Sequence, residues 1–355
     1  MSWEDNVRRV IPYVPGEQPK DKVIKLNTNE NPYPPSVKVR NILREYDIDE
    51  LRLYPDVNGG ELREGLAKLH GLRPEQVFVG VGSDDVLAMA FMTFFNSKKP
   101  ILFPDITYSF YDVWADLFKI PYKMVPLNDE FRIVKEDYYE ENGGVVIPNP
   151  NAPTGVEKSA SDLEDIIKAN KDSVVIIDEA YVDFGATSLV PLVKKYDNLL
   201  VVQTFSKSRA MAGVRIGMAF GSDKLIKYLN DVKFSFNSYT MNRLAVAVGK
   251  AMLDDTDYFK NIVGKVVATR ERTKVELSRL GFSFPDSKAN FIFATHRTVP
   301  AEDIFLAARE AGIYVRYFKK PRIDNYLRIT IGTDDEMEAL IRFLKSYLAE
   351  IGELN

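Results

Sequence analysis

SVVIIDEAY, residues 173–181, is an uninterrupted apolar run that stops abruptly on two acids. Successive side chains of a strand point to opposite faces, so a strand apolar at every position must be covered on both sides. The same texture recurs in GVVIP (144–148) and LLVVQTF (199–205), and more briefly in VFVGV (77–81), PILF (100–103) and IGMAF (216–220). Amphipathic stretches fall between them, predicting helices over Asp84–Phe95 and Tyr108–Phe118, near 160–170 and near 188–196. Alternating units of this kind predict an α/β fold, a mostly parallel central sheet flanked by helices. Past Asn237 a long helical region runs to about Leu280. FIFAT, IYVRYF and YLRITIG then alternate with helices expected over 301–311 and 334–350, as in a smaller α+β domain. The first forty residues carry six prolines and little periodicity, which suggests an arm lying over other structure. The expected division is an arm that belongs partly to the small domain (1–45), a large domain (46–240), and a linking helix with the small domain (241–355).

Bulk composition narrows the function. At about 150 residues per domain, 355 residues suit two domains. With 51 acids against 47 bases and no long block of either sign, neither nucleic acid nor a membrane surface is an expected partner. No apolar run approaches the roughly 18 residues of a membrane span, and the charged N-terminus MSWEDNVRRV lacks the apolar core of a secretory signal. A cytoplasmic location is therefore expected. The absence of cysteine excludes disulfides and cysteine nucleophiles. His70 and His296 lie far apart in sequence and cannot make a zinc site by themselves, without carboxylates as added ligands. His70, before Gly71, suits a helix C-terminus as a cation, and His296 reads as a surface loop residue.

In open α/β sheets, chemistry gathers beyond the carboxyl ends of the strands. Those ends carry Asp178-Glu179-Ala180-Tyr181, Ser206-Lys207, Asn149-Pro150-Asn151-Ala152-Pro153-Thr154-Gly155, and Gly82-Ser83-Asp84-Asp85 before a helix. A lysine amine condenses with an aldehyde, a carboxylate keeps a pyridine nitrogen protonated, and a helix N-terminus with a hydroxyl and an arginine holds a phosphate. Together these are the requirements of pyridoxal phosphate chemistry. Taken singly, Lys207 reads as a surface lysine, Asp178-Glu179 as a strand end, and Asn-Pro-Asn-Ala-Pro as a turn. The GVG at 80–82 is not a dinucleotide turn, because the third glycine of that pattern falls on Asp85.

The motifs LNTNENPYPPS, LRLYPD, GVGSDD, PDITYSFY, PNPNAPTG, IIDEAYVDF, TFSKSRAMAGVRIG and LRITIG span nearly the whole chain. In order and spacing they resemble fold-type I pyridoxal-phosphate-dependent aminotransferases, most specifically the histidinol-phosphate aminotransferases. That resemblance implies that Lys207 is the Schiff-base lysine, Asp178 the partner of the pyridinium nitrogen and Tyr181 the phenol on the ring 3-oxygen. It further implies that Tyr108 stacks on the ring, and that Thr204, Ser206 and Arg215 form the phosphate cup with the backbone of Gly82, Ser83 and Asp84. The Asp84 side chain, of the wrong sign for a phosphate, is expected to cap the helix. Relatives place an asparagine before Pro-Thr-Gly; here it is Ala152, so either Asn151 beside it substitutes as the ligand or Tyr181 serves the 3-oxygen alone. Arg316 and Arg328 are implied to grip the substrate's anionic groups, although both also suit structural ion pairs. Tyr13 and Asn31 are implied to line the substrate pocket, as is Tyr54, reaching across a homodimer. The implied reaction is transamination between histidinol phosphate and 2-oxoglutarate, giving imidazole acetol phosphate and glutamate. An aromatic amino-acid aminotransferase, a lyase acting on an amino-acid phosphate, and a non-catalytic binding protein are the competing readings.

Overall fold

A computed structural model describes residues 2–354. In chain order its first half contains β1 (Ile24–Leu26), α1 (Val37–Glu45), α2 (Gly60–His70), β2 (Val77–Gly80), α3 (Ser83–Phe94), β3 (Ile101–Pro104), α4 (Tyr111–Phe118), β4 (Tyr122–Val125), β5 (Gly144–Pro148) and α5 (Ala160–Ala169). There follow β6 (Val175–Asp178), β7 (Leu199–Thr204), β8 (Gly217–Phe220), α6 (Asp223–Phe236), α7 (Arg243–Leu253) and α8 (Thr256–Arg279). The chain ends with β9 (Phe282–Ser283), β10 (Phe291–His296), α9 (Ala301–Glu310), β11 (Ile313–Tyr317), β12 (Leu327–Thr330) and α10 (Asp334–Glu350).

Seven strands form the large sheet in the order β2-β8-β7-β6-β5-β3-β4. Only β8 runs against its neighbours β2 and β7; the other pairings are parallel. The two-sided apolar strands divide their side chains as the pleat demands. Val175, Ile177, Leu199 and Val201 enter the core on one face, while Ile176, Leu200 and Val202 enter the core on the other. Burying both faces fixes the register, because a one-residue slip would exchange the two sets. The second sheet has the order β1-β11-β12-β10-β9 and carries its own core with α8, α9 and α10. Its first strand, β1, comes from the N-terminal arm and pairs with β11 in parallel.

Four details depart from the sequence reading. The helix expected near 188–196 is a short 3-10 turn, Val190–Lys194, with Pro191 in its first turn. The long helical region is broken at Asp254-Asp255 into α7 and α8. The first of these, which a division at 240 assigns to the second domain, buries Ala245, Val248 and Met252 in the core of the large sheet. His296 is not on a loop. It lies buried on β10, with Nε2 against the Leu280 carbonyl at 2.9 Å and Nδ1 accepting from Val299 N–H at 3.1 Å. His70 does end α2. It is not a cation there, because burial pulls its pKa down to about 4.

Candidate active site

The carboxyl ends of β2, β5, β6 and β7 open onto one cleft with two adjoining lobes, each of about 250 Å³. Tyr108, Ala152, Tyr181, Asp84 and Lys207 line both. Ser206 and Arg215 close the first lobe, whereas Tyr13, Arg316 and Arg328 border the second.

Asp178 terminates β6 at the floor of the first lobe and is 5% exposed. Burial pushes its carboxyl up to about 6, opposed by hydrogen bonds donated by Tyr111 (2.8 Å) and the Ala180 N–H (3.1 Å). Glu179, next along the chain, faces away. Its carboxylate accepts from Leu189 N–H, Ser188 Oγ and Gln203 Nε2, and burial raises its pKa to about 7. Lys207 follows β7 and lies 5.8 Å over the Tyr181 ring, donating to the Thr28 carbonyl at 3.3 Å.

The anion-binding end of the first lobe is built by a close backbone approach. Gly217 opens β8 between Gly80 and Thr204, and a Cβ there would lie 2.2 Å from the Gly82 carbonyl carbon. A side chain on Gly82 would meet Arg215 Nη2 at 2.5 Å. The two glycines thus let the N-terminus of the 12-residue α3 sit directly beside the Arg215 guanidinium. The Ser83 and Asp84 N–H groups, first in that helix, have no intrahelical acceptor and face an anion favourably. Ser206 Oγ lies 3.4 Å from Arg215 Nη1. Thr204 stands behind it, accepting from the Ser206 N–H at 3.1 Å, and does not itself line the lobe. Asp84 is not a cap: α3 has no side-chain cap at Gly82. Asp85 instead reaches back to the Val81 N–H at 2.9 Å, which frees Asp84 to accept from Tyr108 Oη at 2.8 Å and to lie 3.6 Å from Arg215.

Two expected ligands, Asn151 and Asn31, are placed elsewhere. Asn151 spends its amide on the Ile106 carbonyl and Thr154 Oγ1 and does not line the cleft; Ala152 does. Asn31 donates to the backbone carbonyls of Lys207 (3.0 Å) and Ser208 (3.3 Å), so it holds the lysine's loop rather than the cavity. Tyr54 is 77% exposed and stacks on Tyr239, outside this chain's own cleft. Tyr13 of the arm stacks on Phe110 at 4.1 Å and walls the second lobe. Two residues were missed by the sequence reading. Tyr111 follows Tyr108 by one helical turn, a spacing that could have flagged it, and Asn29 lies between the conspicuous Asn27 and Asn31.

Arg316 and Arg328 are register partners on β11 and β12, so two guanidinium groups stand side by side at the second lobe. Burial lowers the Arg328 pKa, and its Nε, itself buried, has no hydrogen-bond partner among the described residues. Like charges directly opposed across a ladder repel, and an anion between them relieves that repulsion.

The cleft fits a phosphorylated pyridine aldehyde: a carboxylate for the ring nitrogen, an amine for the aldehyde, and an amide–hydroxyl–guanidinium cup for the phosphate. The model of the family described as aminotransferase class I and II matches residues 21–344. Histidinol-phosphate aminotransferase of Lactococcus lactis subsp. cremoris (strain MG1363) is 53% identical over 349 residues, 98% of either chain. That of Clostridium acetobutylicum is 52% identical over 348 residues, 98% of this chain and 99% of its own. Among solved structures, a histidinol-phosphate aminotransferase from Sinorhizobium meliloti in complex with pyridoxal-5′-phosphate superposes with a TM-score of 0.84 at 22% identity. The match covers 92% of this chain and 91% of that one. With the fold, the cleft and the full-length relatives in agreement, the chain belongs to the class I and II aminotransferases.

Proposed function

We propose that the protein transfers the amino group of L-histidinol phosphate to 2-oxoglutarate, giving imidazole acetol phosphate and glutamate, with pyridoxal phosphate held by Lys207. The observation that carries the substrate is the Arg316–Arg328 pair, with its unpartnered buried Nε, set across the cleft beside an aromatic wall of Tyr13, Tyr108 and Phe110. An anionic phosphate suits the first feature and a flat imidazole the second, and the full-length relatives carry the same activity in their names.

Bound pyridoxal phosphate supplies an electron sink for charge developing at the substrate Cα. The chain's own residues do the rest. Lys207, in the walls of both lobes, would take the substrate Cα proton as general base and, as general acid, deliver it to the carbon that carried the cofactor's aldehyde. Asp178, held by Tyr111 and Ala180, is the counter-charge for the ring nitrogen. The α3 N-terminus, Ser206 and Arg215 would hold the phosphate and so fix the ring's place in the cleft. Tyr108, its hydroxyl fixed by Asp84, covers the ring. The arm closes the second lobe with Tyr13 and helps to exclude water.

The assembly proposed is a homodimer in which Tyr54 serves the partner's cleft. Tyr54 is exposed together with Leu51, Leu53, Phe236 and Tyr239, an apolar group that a second copy would cover. Residues 46–240 are proposed as the cofactor-binding body, and 241–355 with the arm as the body that presents Arg316 and Arg328. Turnover of histidinol phosphate, phenylalanine, tyrosine and threonine phosphate, each with 2-oxoglutarate, tests the substrate. Preference for phenylalanine, or release of carbon dioxide from threonine phosphate, would replace this assignment. Borohydride reduction of the yellow protein should attach the cofactor to the peptide carrying Lys207, and attachment to another lysine would refute its role.

A further inference from the structure

The proton on the Tyr181 hydroxyl has only one direction left to point. Asn29 is 1% exposed and sits in the left-handed backbone region at φ +57°, which asparagine tolerates better than most residues. Its own N–H donates to Thr330 Oγ1 at 3.0 Å. With that lone pair occupied, the Thr330 hydroxyl turns its proton onto Asn29 Oδ1, also at 3.0 Å. The amide can therefore present only its NH2 side to Tyr181, and Nδ2 stands 2.9 Å from the phenol oxygen. Asn290 clamps the same residue from behind, donating to the Asn29 carbonyl at 3.0 Å. A phenol has one proton to donate. As its oxygen accepts from Asn29, that proton is released toward the cleft that Tyr181 lines.

The neighbouring residues, with Ala152 in the apolar cluster that Tyr181 packs against, explain why this direction matters. Ala152 lines the cleft with a methyl group, and the amide of Asn151 is committed to Ile106 and Thr154. Neither provides a second donor. We propose that Asn29 is a positioning residue: through the directed chain Thr330–Asn29–Tyr181 it commits the Tyr181 proton to the 3-oxygen of the bound cofactor, so that one phenol serves without an asparagine at position 152. This rests on the proposed pyridoxal phosphate site, with Tyr181 as the phenol on the ring 3-oxygen, the role that the family resemblance implies.

The test is the pH titration of the holoenzyme's visible absorbance, which reports proton affinity at the nitrogen linked to Lys207 and is independent of turnover. A donor on the 3-oxygen withdraws charge that would otherwise hold that proton, so losing the donor raises the midpoint. Asn29→Asp keeps the shape and the Thr330 contact but turns an acceptor toward Tyr181, drawing the phenol proton out of the cleft. The midpoint should rise by about one pH unit, a tenfold gain in proton affinity, as it should in Tyr181→Phe. Adding Asn29→Asp to Tyr181→Phe should then raise it little further, since both changes delete one interaction. A full additional rise in the double variant would assign the effect to the aspartate's charge and overturn the proposal, as would an unshifted Asn29→Asp. Thr330→Val frees the amide to turn over without adding charge, so it should move the midpoint the same way by a smaller amount; no movement also counts against the chain. Tyr181→Phe with a wild-type midpoint would remove the Tyr181 assignment itself, and this inference with it.

Discussion

Replacing Tyr111 by phenylalanine removes one oxygen and leaves the ring's packing against Phe91, Phe103 and Trp114 in place. Asp178 then keeps only the Ala180 N–H. In the wild-type protein without cofactor, burial already lifts the Asp178 carboxyl to about 6, with the Tyr111 hydrogen bond holding it down. A hydrogen bond to a charged group contributes about 1.5–3 kcal/mol, and 1.36 kcal/mol corresponds to one pH unit. The carboxyl in the variant should therefore titrate about one to two units higher. At neutral pH much of it would be protonated and unable to act as counter-charge. The assay is the dissociation constant of pyridoxal phosphate for apoprotein, measured by fluorescence quenching from pH 5.5 to 9. Wild-type affinity should fall as pH drops through the Asp178 midpoint, and the variant's fall should begin one to two units higher, with the two converging near pH 9. The cofactor's own ionisations are common to both proteins and cancel in the comparison. Coincident profiles would show that Tyr111 does not set the charge of Asp178, and the assignment would be withdrawn.

Removal of either Arg316 or Arg328 should raise KM for histidinol phosphate about ten- to a hundredfold, the value of a charge-assisted contact. KM for unphosphorylated histidinol should move far less, and equal losses on both substrates would point to a scaffold role. Because Arg328 also suits the carboxylate of 2-oxoglutarate, each half-reaction needs its own measurement. Tyr54→Ala and Lys207→Ala, each inactive alone, should regain up to about a quarter of wild-type sites when refolded together, because an isologous dimer leaves one intact site in each hybrid; no recovery in hybrids verified by mass spectrometry would confine Tyr54 to its own subunit. His70, whose folded pKa lies near 4 against an ordinary 6.5, stays neutral in the fold while the unfolded chain gains a proton. Its contribution is complete above about 6.5 and is lost as pH falls toward 4. Urea denaturation of His70→Leu should therefore show less destabilisation between pH 7 and pH 5 than wild type.

The central strands were legible because they are buried on both sides, and no polar position interrupts Val175–Ile177 or Leu199–Val202. β4 was not, since Lys123 and Met124 at the sheet edge are exposed and leave no apolar run to recognise. The division of acids at the α3 turn was misread for a related reason. Asp84 and Asp85 are both reasonable helix-start residues, and only the path of the backbone decides that Asp85 turns back to Val81 while Asp84 faces Tyr108. Asn29, Asn31 and Asn151 show the same limit. Asn29 and Asn151 are buried and Asn31 half-buried, and whether each amide meets ligand, phenol or backbone depends on partners up to 301 residues away in sequence, as with Asn29 and Thr330. His296 failed because a lone polar residue at a strand end resembles a loop until the partners of both ring nitrogens are known.

The facing of Arg316 and Arg328 also makes the second lobe a sensor of its surroundings. Two opposed, half-buried cations keep the ligand-free small domain below the stability its packing would otherwise allow. Any oxyanion that fits between them, inorganic phosphate and sulfate included, stabilises the fold in proportion to the logarithm of its concentration once above its dissociation constant. The melting temperature should climb with phosphate in wild type and stay level in Arg328→Met, which turns ordinary thermal shift into a direct reading of occupancy. The same ions would compete with substrate, so the choice of buffer becomes a kinetic variable for this protein.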